Sequence, residues 1–537
     1  MYEVNLTESY FPAQKDIILE DNTIGQLLLE VSKKHDSKEA LVEITQSGIV
    51  GRTWTYEELY SESLQLAKAL ASRFNKGDHI VIWSPNSPEW VLMEFAAGLA
   101  GLVVVTANPA LQEKELRYIL EHSNAVGLFL TSEFRGNPML EIGTQACKGN
   151  QEVREIINME NRTDLFENTR GNQNLPEVCP NDPAQIQYTS GTTGFPKGAV
   201  LSHIGLTSNA KFYADRCQVK ESYSWVNIMP MFHTSGCGMV TLGCLNSKCR
   251  MILVSLFEPE NVLFLIEKFK ADIILCVPTT ALAILEEQET NPKNVDSLRV
   301  LSCGGANVAP EMVRRIREKF GCQFSTLFGQ TEYCPVITQH HLTDGIEDIC
   351  STIGQPVSHA DVSIKSVSSR EILPLQEVGE ICVRGPSTML AYYGNPEATL
   401  EAIDSERWLH TGDLGIMDSR GYLTITGRVK EMIIRGGENH YPAEIENVLR
   451  EHHDISDVAV VGIPDDKWGE VIGCFIRFIN KPIKTSNLKK FCRENMSPQK
   501  TPTIWVNIDN FPLTGSGKIQ KFKLREDFCS GHLKQME

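Results

Sequence analysis

Apolar residues recur at two spacings along this chain, and the alternation between those spacings predicts its architecture. Thr55 and Glu58 form a capping-box pattern, and Leu59, Leu66, Ala67, Leu70 and Phe74 follow at helical spacing. Gly77-Asp78 then turns the chain into an apolar run at 79–83. Ser87-Pro88-Glu89 predicts a helix start with proline in the first turn. Residues 102–106 read as a buried strand, Asn108-Pro109 as a turn, 112–121 as a helix and 126–130 as another strand. Continuous apolar strands alternating with helices imply a parallel sheet covered on both faces. The rhythm returns at 261–303, where a helix through Phe269 precedes a strand at 273–277, and a helix from Thr279 precedes a strand at 298–303. This predicts two doubly wound α/β units. A β-rich patch follows, with short strands at 362–365, 379–384 and 422–426. The last hundred residues read as a small α+β unit, with strands at 458–461 and 472–478 and a helix at 486–495.

Length fits this division: 537 residues exceed one hydrophobic core, and roughly 150 residues per domain gives three to four units. No apolar run approaches the ~20 residues of a membrane span. The first twenty residues carry Glu3, Glu8, Asp16 and Glu20 against Lys15 alone, which argues against a cleaved targeting peptide. Fifteen cysteines, an odd number without a C-x-x-C pair, read as reduced thiols in a cytoplasmic compartment. The net charge of −17 argues against nucleic-acid binding. That excess lies wholly before residue 431, since 431–537 holds fifteen basic and fifteen acidic residues. Within this tail, 477–525 holds eleven basic residues against Glu494 and Asp509, either a solvated face or a surface for an acidic body or ligand phosphates.

The most informative segment is Tyr188-Thr-Ser-Gly-Thr-Thr-Gly-Phe-Pro-Lys197-Gly-Ala-Val-Leu-Ser-His203. Its glycines permit close backbone approach, its hydroxyls donate hydrogen bonds and its lysine supplies charge, as a polyphosphate requires. Lys197 is followed by Gly198, so this is not a Walker A loop. A flexible surface loop is the plain alternative; the segment's length and the flanking strand pattern at 184–188 argue against it.

At this segment the chain resembles the adenylate-forming superfamily of acyl-CoA synthetases, nonribosomal peptide adenylation domains and luciferases. The resemblance spans essentially the whole chain, because four further motifs occur in order. They are Phe328-Gly-Gln-Thr-Glu-Tyr333, His410-Thr-Gly-Asp-Leu414, Gly427-Arg-Val-Lys-Glu-Met-Ile-Ile-Arg-Gly-Gly-Glu-Asn439 and Pro512-Leu-Thr-Gly-Ser-Gly-Lys518-Ile-Gln-Lys521. Residues 432–442 and 512–525 look most like medium-chain and related fatty acyl-CoA synthetases.

The resemblance implies an adenylation domain at 1–429 and a mobile C-terminal domain at 430–537 that pivots at Lys430. It implies an ATP site of Thr189, Ser190, Gly191, Thr192, Thr193, Gly194, Lys197, Gly304, Gly305, Ala306, Phe328, Gly329, Gln330, Thr331, Asp413, Arg428 and Lys518. Within that set Asp413 would bind the ribose hydroxyls, and Glu332 with Thr192 would hold Mg²⁺ on ATP phosphate oxygens. Lys518, Glu332 and Arg428 would be catalytic, Lys518 bridging the carboxylate and the α-phosphate. His233, Gly305 and Cys334 would border the acyl pocket, beside Met231, Gly236, Thr280, Pro335 and Val336. Lys430, Gly436 and Gly437 would serve the coenzyme A step. Out of context, Asp413 reads as a turn residue, Glu332 as a helix-capping acid, Lys518 as a loop lysine and His233 as a core histidine.

Peptide-type adenylation domains place an aspartate in Phe-Asp-x-Ser to pair with an amino acid's ammonium. This chain has Phe232-His233-Thr234-Ser235, so a buried ammonium would go unpaired and amino acids are disfavoured. The expected activity is ATP-dependent activation of a medium-chain fatty or aryl acid, followed by transfer to coenzyme A. The alternative acceptor is the phosphopantetheine thiol of a carrier protein, and a non-catalytic adenylate-binding protein is a third reading.

Overall fold

The capping box at Thr55 forms: Glu58 N donates to Thr55 Oγ1 at 3.2 Å and Thr55 N to Glu58 Oε2 at 2.8 Å, starting the helix Tyr56–Arg73. Ser87 caps Pro88–Ala100 by accepting Trp90 N at 3.2 Å, and that helix ends on Gly101 at a φ of 68°. The computed structural model describes every residue except 169–170, 172–173, 190–195, 306–307, 436–437, 466, 514–518 and 537, with Glu438 and Asn439 described as backbone only.

Two large sheets carry the doubly wound units. The seven-stranded sheet runs Ala391–Tyr392, Lys197–Ser202, Pro183–Thr189, Val103–Ala107, His79–Trp83, Gly127–Leu130, Glu155–Asn158. Its five strands from Pro183–Thr189 onward are parallel, and the first two pair antiparallel at the edge. The nine-stranded sheet runs Gln355–Pro356, Val336–Gln339, Gln323–Gly329, Val300–Gly304, Ile273–Cys276, Ser224–Asn227, Arg250–Val254, Glu39–Ile44, Val50–Thr55. Periodicity did not place Glu39–Ile44 there: it lies parallel to Arg250–Val254, two hundred residues along the chain.

The β-rich patch is a five-stranded antiparallel sheet in which Tyr10–Phe11 joins Asp361–Lys365, Gly379–Arg384, Leu409–Met417 and Leu423–Arg428. The last strand ends two residues later than its sequence pattern suggests. Val429–Glu431 forms a single 3₁₀ turn before the C-terminal sheet begins at Ile433–Arg435. That sheet's long pair, Ile455–Asp465 and Gly469–Phe478, buries apolar side chains on both faces, with Trp505 on one and Phe475 on the other. Among the described residues no helix is long and apolar enough to cross a membrane.

His203, at the head of the helix His203–Arg216, is fully buried and accepts Ile24 N at 3.4 Å, joining this helix to Ile24–Lys34. Burial lowers its pKa to about 4, against an opposing pull from Asp182. A base whose folded pKa lies below its unfolded value of 6.5 favours folding above pH 6.5, and that contribution is lost as pH falls from 6.5 towards 4. The expected loss at pH 5 is about 2 kcal/mol. Urea unfolding at pH 7 and pH 5 should show it, and His203→Gln should flatten the difference; an unchanged slope in the variant would exonerate His203.

Candidate active site

Strand Pro183–Thr189 leads into the glycine- and threonine-rich segment and strand Lys197–Ser202 leads out of it. The two pair antiparallel with Thr189 opposite Lys197, so the ends of that segment are held face to face. Strand Ala391–Tyr392 pairs with the outer of the two, setting Tyr392 opposite Ala199. The Tyr392 hydroxyl donates to Glu332 Oε1 at 2.7 Å, and the Lys197 ammonium sits 4.9 Å from the centre of the Tyr392 ring. The Thr189 hydroxyl lies 3.5 Å from the same carboxylate oxygen. Burial first, and the facing Glu332 charge second, push the Tyr392 phenol above its ordinary range, so it remains a donor.

Glu332 is 9% exposed and occupies the 3₁₀ turn Thr331–Tyr333. The preceding strand Gln323–Gly329 shifts register between Phe328 and Gly329 against Val336–Gln339. A side chain at Gly329 would stand 1.9 Å from the carbonyl oxygen of Pro335, which makes glycine obligatory there. Gln330 N donates to that same oxygen at 2.9 Å, closing the turn that aims Glu332. Gly304 ends the neighbouring parallel strand opposite Leu327, so Gly304-Gly305 and Phe328-Gly329 lie side by side at the carboxyl edge of the sheet. Open α/β sheets bind ligands at this edge.

Asp413 and Arg428 form a separate pair on the five-stranded sheet. They are cross-strand partners, with Arg428 Nε 2.8 Å from Asp413 Oδ1; Asp413 is buried and Arg428 half exposed. A wide bulge presents Asp413: Glu380 stands opposite Leu414 and Cys382 opposite His410, leaving Thr411, Gly412 and Asp413 to face Ile381 alone. The Thr411 hydroxyl donates to Ile381 O at 2.7 Å, Gly412 takes a φ of 73°, and its N–H donates to Glu380 Oε1 at 3.0 Å. His410 Nδ1 lies 2.9 Å from Glu380 Oε2 and 3.2 Å from Cys382 Sγ. The Arg370 guanidinium closes this network against Glu380 at 2.9 Å.

His233 is exposed at the start of the π-helical segment Ser235–Leu242. Ser235 N donates to its Nδ1 at 3.1 Å, which leaves the ring proton on Nε2. Gly236 lets the chain fold back, since a side chain there would stand 2.2 Å from Pro230 O. Cys334 is 1% exposed, and its thiol packs against Gly205 of the helix His203–Arg216. Lys430 is exposed in the turn Val429–Glu431. Ser190, Gly191, Thr192, Thr193, Gly194, Ala306, Gly436, Gly437 and Lys518 lie outside the described residues.

The structure thus brings Thr189, Lys197 and Glu332 together, and separately Asp413 with Arg428. It adds two residues that motif spacing misses, Tyr392 and Glu380. Their sequence signal is weak, because only cross-strand register puts Tyr392 against Glu332 and Glu380 against Gly412. The donor set around Glu332, a carboxylate and a threonine hydroxyl, consists of hard oxygens of the type a magnesium ion accepts.

The family model described as AMP-binding enzyme matches residues 28–393, and that of the AMP-binding enzyme C-terminal domain matches 444–518. The Bacillus subtilis protein YngI is 34% identical, with 94% of this chain and 97% of YngI covered. The human mitochondrial medium-chain acyl-CoA ligase ACSF2 is 32% identical, covering 95% of this chain and 88% of the relative. Among solved structures, ATP-bound MatB from Rhodopseudomonas palustris superposes with a TM-score of 0.82 at 25% identity, covering 94% of this chain and 99% of MatB. The apo form of MatB, at the same identity and coverage, gives 0.75.

Proposed function

The chain belongs to the AMP-binding enzyme family, and from that premise we propose how its residues carry the reaction. It is an acid–thiol ligase of the acyl-CoA synthetase type, in which ATP activates a carboxylic acid and the acyl group passes to coenzyme A. The observation that carries the residue assignment is the meeting of Thr189, Lys197 and Glu332 where the glycine- and threonine-rich segment leaves and re-enters its sheet.

In this reading 190–195 cradles the ATP phosphates, with Lys197 supplying positive charge beside them. Asp413 accepts hydrogen bonds from the ribose hydroxyls, and Arg428 supports ribose and phosphates from the opposite strand. Glu332, with Thr192, would hold Mg²⁺, which neutralises phosphate charge when bound. Gly304-Gly305 with Ala306, and Phe328-Gly329, wall the adenine, and Gln330 and Thr331 complete that edge. The substrate carboxylate is already ionised at neutral pH, so its attack on the α-phosphorus needs no general base. Pyrophosphate leaves in line, and Lys518 stabilises the charge shared by carboxylate and α-phosphate.

For the second half-reaction the unit from residue 430 onward pivots at Lys430 and presents 434–438, with Gly436 and Gly437 giving the pantetheine thiol room. The 3₁₀ turn Val429–Glu431 between two sheets supports a pivot there. The acid is a medium-chain alkyl or simple aryl acid: His233 replaces the aspartate an amino acid requires, and Gly305 and Cys334 border an apolar site. All fifteen cysteines are unpaired thiols, which supports a reducing, cytoplasmic setting.

Three expectations follow from this scheme. AMP release over a panel of acids should depend on coenzyme A and be small with amino acids. Each buried methylene contributes roughly 0.8 kcal/mol, so kcat/KM should climb severalfold per carbon until the pocket fills and then drop. A flat profile, or turnover only with a carrier protein, would transfer the chain to the carrier-loading alternative. Tyr392→Phe removes the donor that fixes Glu332, and should raise KM for ATP roughly tenfold with a smaller change in kcat; an unchanged KM would deny Tyr392 that role. Lys518→Ala should abolish ATP–pyrophosphate exchange and spare thioester formation from supplied acyl-adenylate. Lys430→Pro, which fixes φ at the pivot, should do the reverse. Loss of both activities together in either folded variant would refute the alternation.

A further inference from the structure

The C-terminal unit contains a largely buried cation that none of these roles uses. Lys521, the first residue of the helix Lys521–Cys529, places its ammonium 2.7 Å from Glu431 Oε2 and 2.8 Å from Glu446 Oε1, with its side chain 20% exposed. Glu446, on the helix Pro442–Arg450, also accepts the backbone N–H of Val460 at 2.8 Å, and Arg450 lies 3.8 Å away on its other side. Burial pulls the Lys521 pKa down, but Glu446 and Glu431 outweigh it and the net shift is upward, so the group stays charged. Three segments distant in sequence therefore meet on one ammonium. They are the exit of the turn Val429–Glu431, the helix Pro442–Arg450, and the start of the helix Lys521–Cys529, just before which Ile519 bridges Leu513 and Gln520 N donates to Pro512 O at 2.7 Å.

We propose that Lys521 is a positioning residue for adenylation: its ammonium ties residues 519–521, which follow the segment carrying Lys518, to the hinge exit, so that this anchor and the pivot move as one body. The inference rests on the reading in which Lys518 acts in the first half-reaction and Lys430 is the pivot. Beside the tie, this anchor is held by the Leu513–Ile519 bridge, by the Gln520 N–H donated to Pro512 O and by the packing of Phe511 and Ile519 with Val506 and Leu524, none of which involves residues 429–431. A misplacement of 1 Å at a reacting group costs on the order of a hundredfold in rate. The segment presented in the second half-reaction is anchored independently, because Ile434 N donates to Glu470 Oε2 at 3.1 Å and Arg435 pairs with Gly469. Loss of the tie therefore acts selectively on the first step.

The test uses the full chain and two separate readouts. Lys521→Met in a Glu431→Gln background removes the ammonium without leaving the half-buried Glu431 and the buried Glu446 carboxylates to repel each other. Lys521→Arg restores the cation, and Glu431→Gln alone serves if the double variant fails to fold. ATP–pyrophosphate exchange should fall roughly ten- to a hundredfold in the double variant, and severalfold in Glu431→Gln. Thioester formation from supplied acyl-adenylate should stay within about threefold, and Lys521→Arg should recover most of the exchange. Unchanged exchange, or equal loss of both half-reactions in a folded variant, would overturn the proposal. Retained exchange in Lys518→Ala would instead strike the underlying reading, which separates the two failures.

Discussion

A carboxylate at 9% exposure must find hydrogen-bond donors, and much of this molecule is arranged to supply them to Glu332. Among the described residues its nearest donor, the Tyr392 hydroxyl at 2.7 Å, comes from a two-residue strand paired with Lys197–Ser202. Thr189 approaches from the inner strand of the same antiparallel group. The turn that carries Glu332 closes on Pro335 O, and Gly329 is the residue that admits this approach. Met389 N, three residues before Tyr392, donates to the backbone oxygen of Glu332 itself at 2.8 Å. Sheet edge, turn and short strand thus converge on one acid.

The second acid obeys a different constraint. Asp413 is presented from an antiparallel ladder that accommodates it by a bulge, within which the Thr411 hydroxyl and the N–H groups of Gly412 and Asp413 are paired. Glu380 is central to that accounting: one oxygen takes the Gly412 N–H, and the other faces His410 and Arg370. Such a network holds a charged residue in one orientation before any ligand arrives, which is how a binding site avoids reorganisation at the moment of binding. Arg428 supplies the counter-charge across the strand pair.

Charge also distinguishes the C-terminal unit. It is neutral overall, whereas the body before it carries the whole excess of −17. Lys521, with its side chain 20% exposed, lies between two acids contributed by different elements. A largely buried ion pair of this kind adds little net stability relative to apolar packing but specifies geometry well. That suits a unit for which a pivoting motion is proposed.

Much of the architecture was legible in the sequence, and its motifs named Thr189, Lys197, Glu332, Asp413 and Arg428, which the fold gathers into two groups. Capping at Thr55 and Ser87, the strand at 79–83 and the helix beginning near Thr279 follow from residues only a few positions apart. Motifs work for the same reason: a glycine required by a close contact, or an acid two residues from a turn, is encoded locally. Long-range pairing is not encoded in this way. Nothing near Glu39–Ile44 indicates that it joins a sheet built two hundred residues later, and nothing near Tyr392 or Glu380 indicates the acid or the bulge each one holds. Lys521 reads as one basic residue in a basic run, until the fold sets Glu431 and Glu446 on either side of it. The sequence by itself determined which elements form and which chemistry they can carry, because propensity, capping and turn geometry act over a few residues. Only the tertiary structure decided which side chains support that chemistry, because register and packing between distant segments depend on the whole chain.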